Sequence, residues 1–158
     1  MDEKIFYVTK EKLQELKKEH EELVLFERNK VLGQEAPKML ESEDMNPEFV
    51  SYHEDMDSLR LRIEELNNIL EHYELIKPPS KEEQMFVGVG AKVLMDINGA
   101  AGEFVITGTL EANPELGRIS NESPVGKALL GHKIGDHVTV SLPEKTVYKI
   151  KNITYEIS

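Results

Sequence analysis

Two hydrophobic periods divide the chain. Phe49, Tyr52, Met56, Leu59, Ile63, Leu66, Leu70 and Tyr73 follow one another in steps of three and four. That spacing lines one face of a helix and forms a coiled-coil seam. It predicts a helix from Phe49 to Ile76, about 40 Å long at ~1.5 Å per residue. Upstream, Leu13, Leu16, His20 and Leu23 begin a similar seam, with Thr9 placed to cap its first turn. Beyond Leu23 the pattern blurs through Val24-Leu25-Phe26 and Val31-Leu32. Two apolar stripes bury each other most simply as an antiparallel helical hairpin. Gly33 and Pro37 weaken the first helix, and Asn46-Pro47 restarts the second with Asn46 as cap and Pro47 in the first turn. The tip is therefore expected near residues 36–46.

Pro78-Pro79-Ser80 ends the helical half, because tandem prolines cannot continue a helix. The period then changes to two. Met85 to Val89, Ala91 to Met95, Phe104 to Thr107, His137 to Leu142 and Thr146 to Ile153 read as short strands separated by Gly, Asn and Asp. Pro124 to Leu130 reads as one short helix, capped by Ser123 and ended by Gly131. The predicted fold class is α+β. An N-terminal antiparallel coiled-coil hairpin occupies residues 1–78. A small, mainly antiparallel sheet domain with one short helix occupies residues 81–158.

Charge adds a polarity to this division. The 158 residues carry a net −11, and residues 1–80 hold 20 acids against 11 bases while residues 81–158 hold 10 against 8. An acidic chain repels phosphate backbones, which disfavours independent binding to DNA or RNA. A basic protein surface or a metal ion suits the acidic half, as does plain solvation. Cys is absent, which excludes disulfides, thiolate chemistry and Cys-based zinc sites. Trp is absent and aromatics are 6%, so no large aromatic-lined pocket is expected. No stretch approaches the roughly 20 apolar residues of a membrane span. The start, Met1-Asp2-Glu3-Lys4, has no apolar run behind it, so no secretory leader is expected.

The candidate chemistry is sparse. Glu41, Glu43, Asp44 and Glu48 cluster beside the expected tip, and carboxylates are the hard oxygen ligands that Mg²⁺ prefers. Acids are also common beside turns, where solvation alone accounts for them. The histidines His20, His53, His72, His132 and His137 do not form a metal-binding spacing, and His20 reads as a polar residue tolerated on the seam. Gly88-Val89-Gly90 reads as a tight turn rather than a phosphate loop, since no helix follows with a third glycine. Ser123 reads as a cap rather than a nucleophile.

The stretch from Ser120 to Gly131, SNESPVGKALLG, with Gly135-Asp136 beyond it, carries a resemblance. It is similar to the C-terminal signature of the bacterial GreA/GreB transcript cleavage and elongation factors. There a Ser-Pro opens a short helix and Gly-Asp leads into the last hairpin. Tyr148 to Tyr155 resembles that family's final strand, and Thr9-Lys10-Glu11-Lys12-Leu13 with Leu16 its first helix. The resemblance covers nearly the whole chain. It implies an FKBP-like second domain that docks on RNA polymerase, with Ser123, Pro124, Gly126, Gly131 and Asp136 as its signature positions. It implies a hairpin that enters the polymerase secondary channel. Acids at the tip then help hold a second Mg²⁺ at the polymerase active site, and backtracked RNA is cut. On that basis the chain is no enzyme alone and has no cofactor of its own. It meets nucleic acid only indirectly, within the transcription complex, and works in the bacterial cytoplasm away from membranes. An FKBP-like fold also raises prolyl isomerase activity, but the domain's only aromatics are Phe86, Phe104, Tyr148 and Tyr155, and fold alone does not carry function.

The tip departs from the family pattern of Asp, two residues, Glu, then Asn-Ala-Glu-Tyr. Aligning Asn46-Pro47-Glu48-Phe49 with that ending puts Ser42 and Met45 at the acidic positions. One inserted residue instead puts Glu41 and Asp44 there with the types exchanged, Glu43 lying between them. The second alignment implies that Glu41 and Asp44, then Glu43, assist Mg²⁺ and cleavage. The first implies a regulator that occupies the channel without cutting. A coiled-coil adaptor with no link to polymerase is a third possibility.

Overall fold

A computed structural model describes residues 4–33, 47–141 and 144–156. The chain forms two compact units. One is Leu13–His72, and the other joins Met1–Lys12 to Tyr73–Ser158.

The first unit is built from α1 (Lys10–Gly33) and α2 (Pro47–Glu71). Leu13 and Leu16 of α1 are buried, as are Met56, Leu66 and Ile69 of α2. His20, Leu23, Tyr52, Leu59, Ile63 and Leu70 are half-buried, so the two stripes read from the sequence are the faces that pack. Cross-helix pairs set an antiparallel direction. Glu19 meets Arg62, His20 meets Asn67 at 2.6 Å, and Glu27 meets Arg60 at 3.7 Å. Arg62 grips both oxygens of Glu19, at 2.7 Å from Nε and 3.0 Å from Nη2. This fork geometry makes the pair more directional than a single surface contact. The hydrogen bond to Glu19 is the main cause that raises the Arg62 pKa.

The blur after Leu23 has a physical cause. The steps of four and three continue through Glu27 and Lys30, which are polar. Glu27 pairs with Arg60, and the Lys30 ammonium lies 5.3 Å from the Tyr52 ring centre. Leu25, Phe26, Val31 and Leu32 are each more than half exposed. The apolar residues are off the seam there and the seam residues are charged. α2 also ends earlier than the apolar spacing predicts, at Glu71 rather than Ile76.

Tyr73 starts the strand β2 (Tyr73–Leu75) instead. It pairs in parallel with β1 (Phe6–Val8), and Ile76 N–H donates to Val8 O at 2.9 Å. Residues 4–12 and 73–78, which the sequence reading places with the hairpin, therefore belong to the same unit as the sheet domain. Several contacts hold β1 there. The Glu111 carboxylate accepts from Thr9 N at 3.0 Å and Thr9 Oγ at 2.7 Å, while Thr9 Oγ caps α1 by accepting from Lys12 N. Lys4 pairs with Glu122 at 3.3 Å.

The main sheet has five strands in the order β5-β4-β3-β7-β6. They are β3 (Ala91–Ile97), β4 (Ala100–Thr107), β5 (Arg118–Ser120), β6 (His137–Val140) and β7 (Thr146–Tyr155), with α3 (Pro124–Leu129) before β6. All neighbouring pairs are antiparallel except β4 with β5. Alternate residues fill the core: Ala91, Val93 and Met95 from β3 and Val138 and Val140 from β6, joined by Val87, Ile106 and Leu129. On β7 the buried residues are Ile150 and Ile153, a spacing that period two forbids. The register shift opposite Leu94 and Met95 explains it, because one extra residue in β7 flips the parity. Met85 to Val89 is not a strand. Glu83–Met85 forms a 3₁₀ turn, and Phe86 makes a single bridge to Lys133.

Candidate functional site

The expected tip, residues 36–46, lies outside the described residues, and with it Glu41, Ser42, Glu43, Asp44 and Met45. The signature positions of the sheet domain are described, and they form one continuous segment from the end of β5 to the start of β6. Ser123 has extended backbone angles, and its Oγ accepts from Gly126 N at 3.1 Å, making it the cap of α3. The same hydroxyl donates to Ser120 O at 2.6 Å. Its one proton is given to Ser120 O and its oxygen caps the helix, which fits the structural role read from the sequence. Pro124 opens the helix, where its missing N–H costs nothing.

Gly126 is buried, and a Cβ there would stand 2.0 Å from Ser120 O. This close approach lets α3 press on the end of β5. Gly131 N–H donates to Val87 O at 2.8 Å and ties the helix exit to the 85–89 segment. Beyond it, the Asp136 carboxylate accepts from Lys133 N at 3.1 Å and pairs with His132 Nδ1 at 3.0 Å. The Lys133 hydrogen bond first, and His132 second, lower the Asp136 pKa. Gly135 N–H and Asp136 O then join the loop to Ile150.

A depressed carboxylate pKa stabilises the fold above its unfolded value. That stability is lost as pH falls through the folded value. Asp136→Asn is therefore expected to lower stability at neutral pH, with the gap to the parent closing as the solution is acidified below the ordinary carboxylate range. Thermal melts across that range measure it, and a gap that stays constant would remove Asp136 from the loop's acid dependence.

Residues that sequence reasoning missed surround this segment. Thr109 Oγ1 donates to Glu122 Oε2 at 2.6 Å and contacts Ser120 Oγ at 2.9 Å, and Glu122 N donates to Ser120 Oγ at 3.0 Å. The Thr109 hydrogen bond is the main cause lowering the Glu122 pKa, with Lys4 contributing. No local pattern could have found this, because Lys4, Thr109 and Glu122 are far apart in sequence. The result is a hydrogen-bonded Glu122-Ser123-Pro124 corner in which Glu122 and Pro124 are exposed and Ser123 is half-buried.

A cleft of about 330 Å³ lies elsewhere on the same unit, lined by Lys77, Pro79, Glu83, Phe86, Val87 and Tyr155 among others. Tyr155 Oη donates to Phe86 O at 2.7 Å, and burial raises its pKa. Only two of the four aromatics considered for an isomerase pocket, Phe86 and Tyr155, reach it. Gly88 to Gly90 is a tight turn, with Ala91 N bonded to Gly88 O and Gly90 N to Ile106 O. Among the described residues no group of three or more acids or histidines could hold a metal ion. No helix among them is long and apolar enough to cross a membrane.

A hairpin of paired helices, joined to a five-stranded sheet with a Ser-Pro-capped helix, matches a known family by sequence. The pattern described as "Transcription elongation factor, GreA/GreB, C-term" matches residues 82–155. A transcription elongation factor GreA of Thermomicrobium roseum is 37% identical over 142 residues, covering 89% of this chain and 90% of that protein. One from Thermodesulfovibrio yellowstonii is 36% identical, covering 94% and 96%. The chain belongs to the GreA/GreB family of transcription elongation factors. A crystal structure of the GreA factor homolog 1 protein of Thermus thermophilus is 21% identical, with a TM-score of 0.42, covering 96% of this chain and 99% of that one. The family assignment stands on the sequence relatives, without that superposition.

Proposed function

We propose that this chain binds RNA polymerase at its secondary channel and stimulates cleavage of backtracked RNA. The observation that carries this reading is the likeness to GreA proteins along nearly the whole chain, hairpin and sheet domain together. The sheet domain supplies the docking surface, with the Glu122-Ser123-Pro124 corner held rigid by Thr109 and Ser120. The hairpin supplies reach: the 25 residues of α2 span about 37 Å at ~1.5 Å each. Its tip carries Glu41, Glu43 and Asp44, and this all-carboxylate donor set suits Mg²⁺. Glu41 and Asp44 are the residues assigned to share the ion. Bound at the polymerase active site, the metal would stabilise attacking and leaving oxygens of the phosphodiester. The chain lends ligands to polymerase and does not catalyse alone, which places its work in the cytoplasm.

One observation favours a second reading. In the gapless alignment Ser42 and Met45 occupy the acidic positions, and neither can replace a carboxylate on Mg²⁺. The chain would then occupy the channel and modulate transcription without cutting. A stalled, backtracked polymerase complex in Mg²⁺ buffer separates the two, with binding measured in the same sample. Faster release of short 3′ fragments is the expected result. Binding without acceleration would select the second reading, and no binding would sink both.

A further inference from the structure

The β3–β4 hairpin turns on two residues, Asn98 and Gly99, between the paired Ile97 and Ala100. Asn98 has φ 51° and Gly99 has φ 88°. A two-residue hairpin turn requires such a left-handed pair. Both residues are exposed, and nothing lies within 4 Å of where a Gly99 Cβ would be. Asn98 is also the one asparagine in the chain that precedes glycine; the others precede Lys, Pro, Asn, Ile or Glu. That distinction is chemical as well as conformational. A backbone nitrogen can attack the carboxamide carbon of the preceding asparagine, and glycine, lacking Cβ, leaves its nitrogen unhindered.

We propose that Asn98 is a deamidation site whose rate is set by the carboxylate of Asp96. In the reaction, base takes the proton from Gly99 N and that nitrogen bonds to Asn98 Cγ. The Cγ–Nδ2 bond breaks, and Nδ2 takes up a proton and leaves as ammonia. Water then opens the five-membered imide at either carbonyl, leaving aspartate or isoaspartate. Water is the only co-reactant. The isoaspartate product routes the main chain through an extra methylene, in a turn whose ends are a paired Ile97 and Ala100.

Asp96 opposes this reaction in two ways. Its Oδ1 accepts the Gly99 N–H at 2.8 Å. Removing that proton would place a second negative charge beside the first, which is unfavourable at such a distance. The same hydrogen bond keeps the turn closed. In the left-handed region ψ is about +47°, which carries the next nitrogen away from the side chain. The ring closes only after the turn opens.

The test incubates the full-length parent, Asp96→Ala, Asp96→Asn and Asn98→Ala at mildly alkaline pH. Peptide mass mapping follows the replacement of amide by acid. Asp96→Ala is expected to modify roughly five- to tenfold faster than the parent, the factor that one net hydrogen bond supplies. Asp96→Asn keeps an acceptor without the charge and should fall between them. Should Asp96→Ala fail to fold by circular dichroism, Asp96→Asn against the parent decides. The mass change should be missing from this peptide in Asn98→Ala, and in urea the Asp96 variants and the parent should converge. Equal rates in the folded proteins, a difference that persists in urea, or another asparagine reacting first would overturn the proposal.

Discussion

Replacing both Glu41 and Asp44 by Ala is expected to abolish stimulated transcript cleavage, by at least ~100-fold, while leaving polymerase binding intact. The expectation rests on a division of labour. On the proposed reading, docking would fall to the sheet domain, whose Glu122-Ser123-Pro124 corner is held by its own hydrogen bonds. Cleavage would fall to carboxylates sharing an Mg²⁺, and a methyl group cannot ligate it. Measuring cleavage and binding in one sample separates the two. Loss of binding in the double variant would mean that the tip docks instead. The gapless alignment makes a converse prediction: Ser42→Asp with Met45→Glu would then confer cleavage on a chain that lacks it. Glu43→Ala, the neighbour between the two acids, should have a smaller effect than the double change.

Gly126→Ala should destabilise the sheet domain by about 3 kcal/mol, in the upper range for overpacking a close contact. The added carbon would stand 2.0 Å from Ser120 O, a backbone atom that cannot swing aside. Relief requires α3 to lift from β5, which takes Leu129 out of the core and breaks the Ser123 cap. For a domain of this size the melting temperature should fall by roughly 10–20 °C. A fall of only a degree or two would mean that α3 shifts as a rigid piece without exposing Leu129.

The parts of the fold legible in the sequence were those with a long period or a strong cap. The α2 stripe from Tyr52 to Leu70 and the Ser123-Pro124 helix start belong here, and so do the strands from Ala91 and Thr146. What escaped was short or encoded in partners far along the chain. β1, β2 and β5 are three residues each, too few to show a period. Met85 to Val89 has strand composition, but a 3₁₀ turn and a single bridge take its place. The distal seam escaped because Glu27 and Lys30 keep the spacing without the hydrophobicity. At the Glu122-Ser123-Pro124 corner, the Ser-Pro motif was visible while its support from Thr109 and Lys4 was not. The tip acids could be named only by chemistry and family likeness, since they lie outside the described residues.

The parallel pairing of β1 with β2 changes how the chain's order should be understood. Parallel neighbours need a crossover connection of a dozen or more residues. Here everything from Thr9 to His72 serves as that connection, so the helical hairpin is an insertion within the sheet domain's own topology. During synthesis β1 emerges first and must wait for the whole hairpin before its partner strand exists. A fragment beginning after Pro79 would lose both strands. Glu111 would be left without Thr9, and Gly108 without the Tyr7 backbone that its missing Cβ accommodates. The domain that reads as C-terminal therefore includes β1, and the chain leaves it after β1 and returns to it at β2.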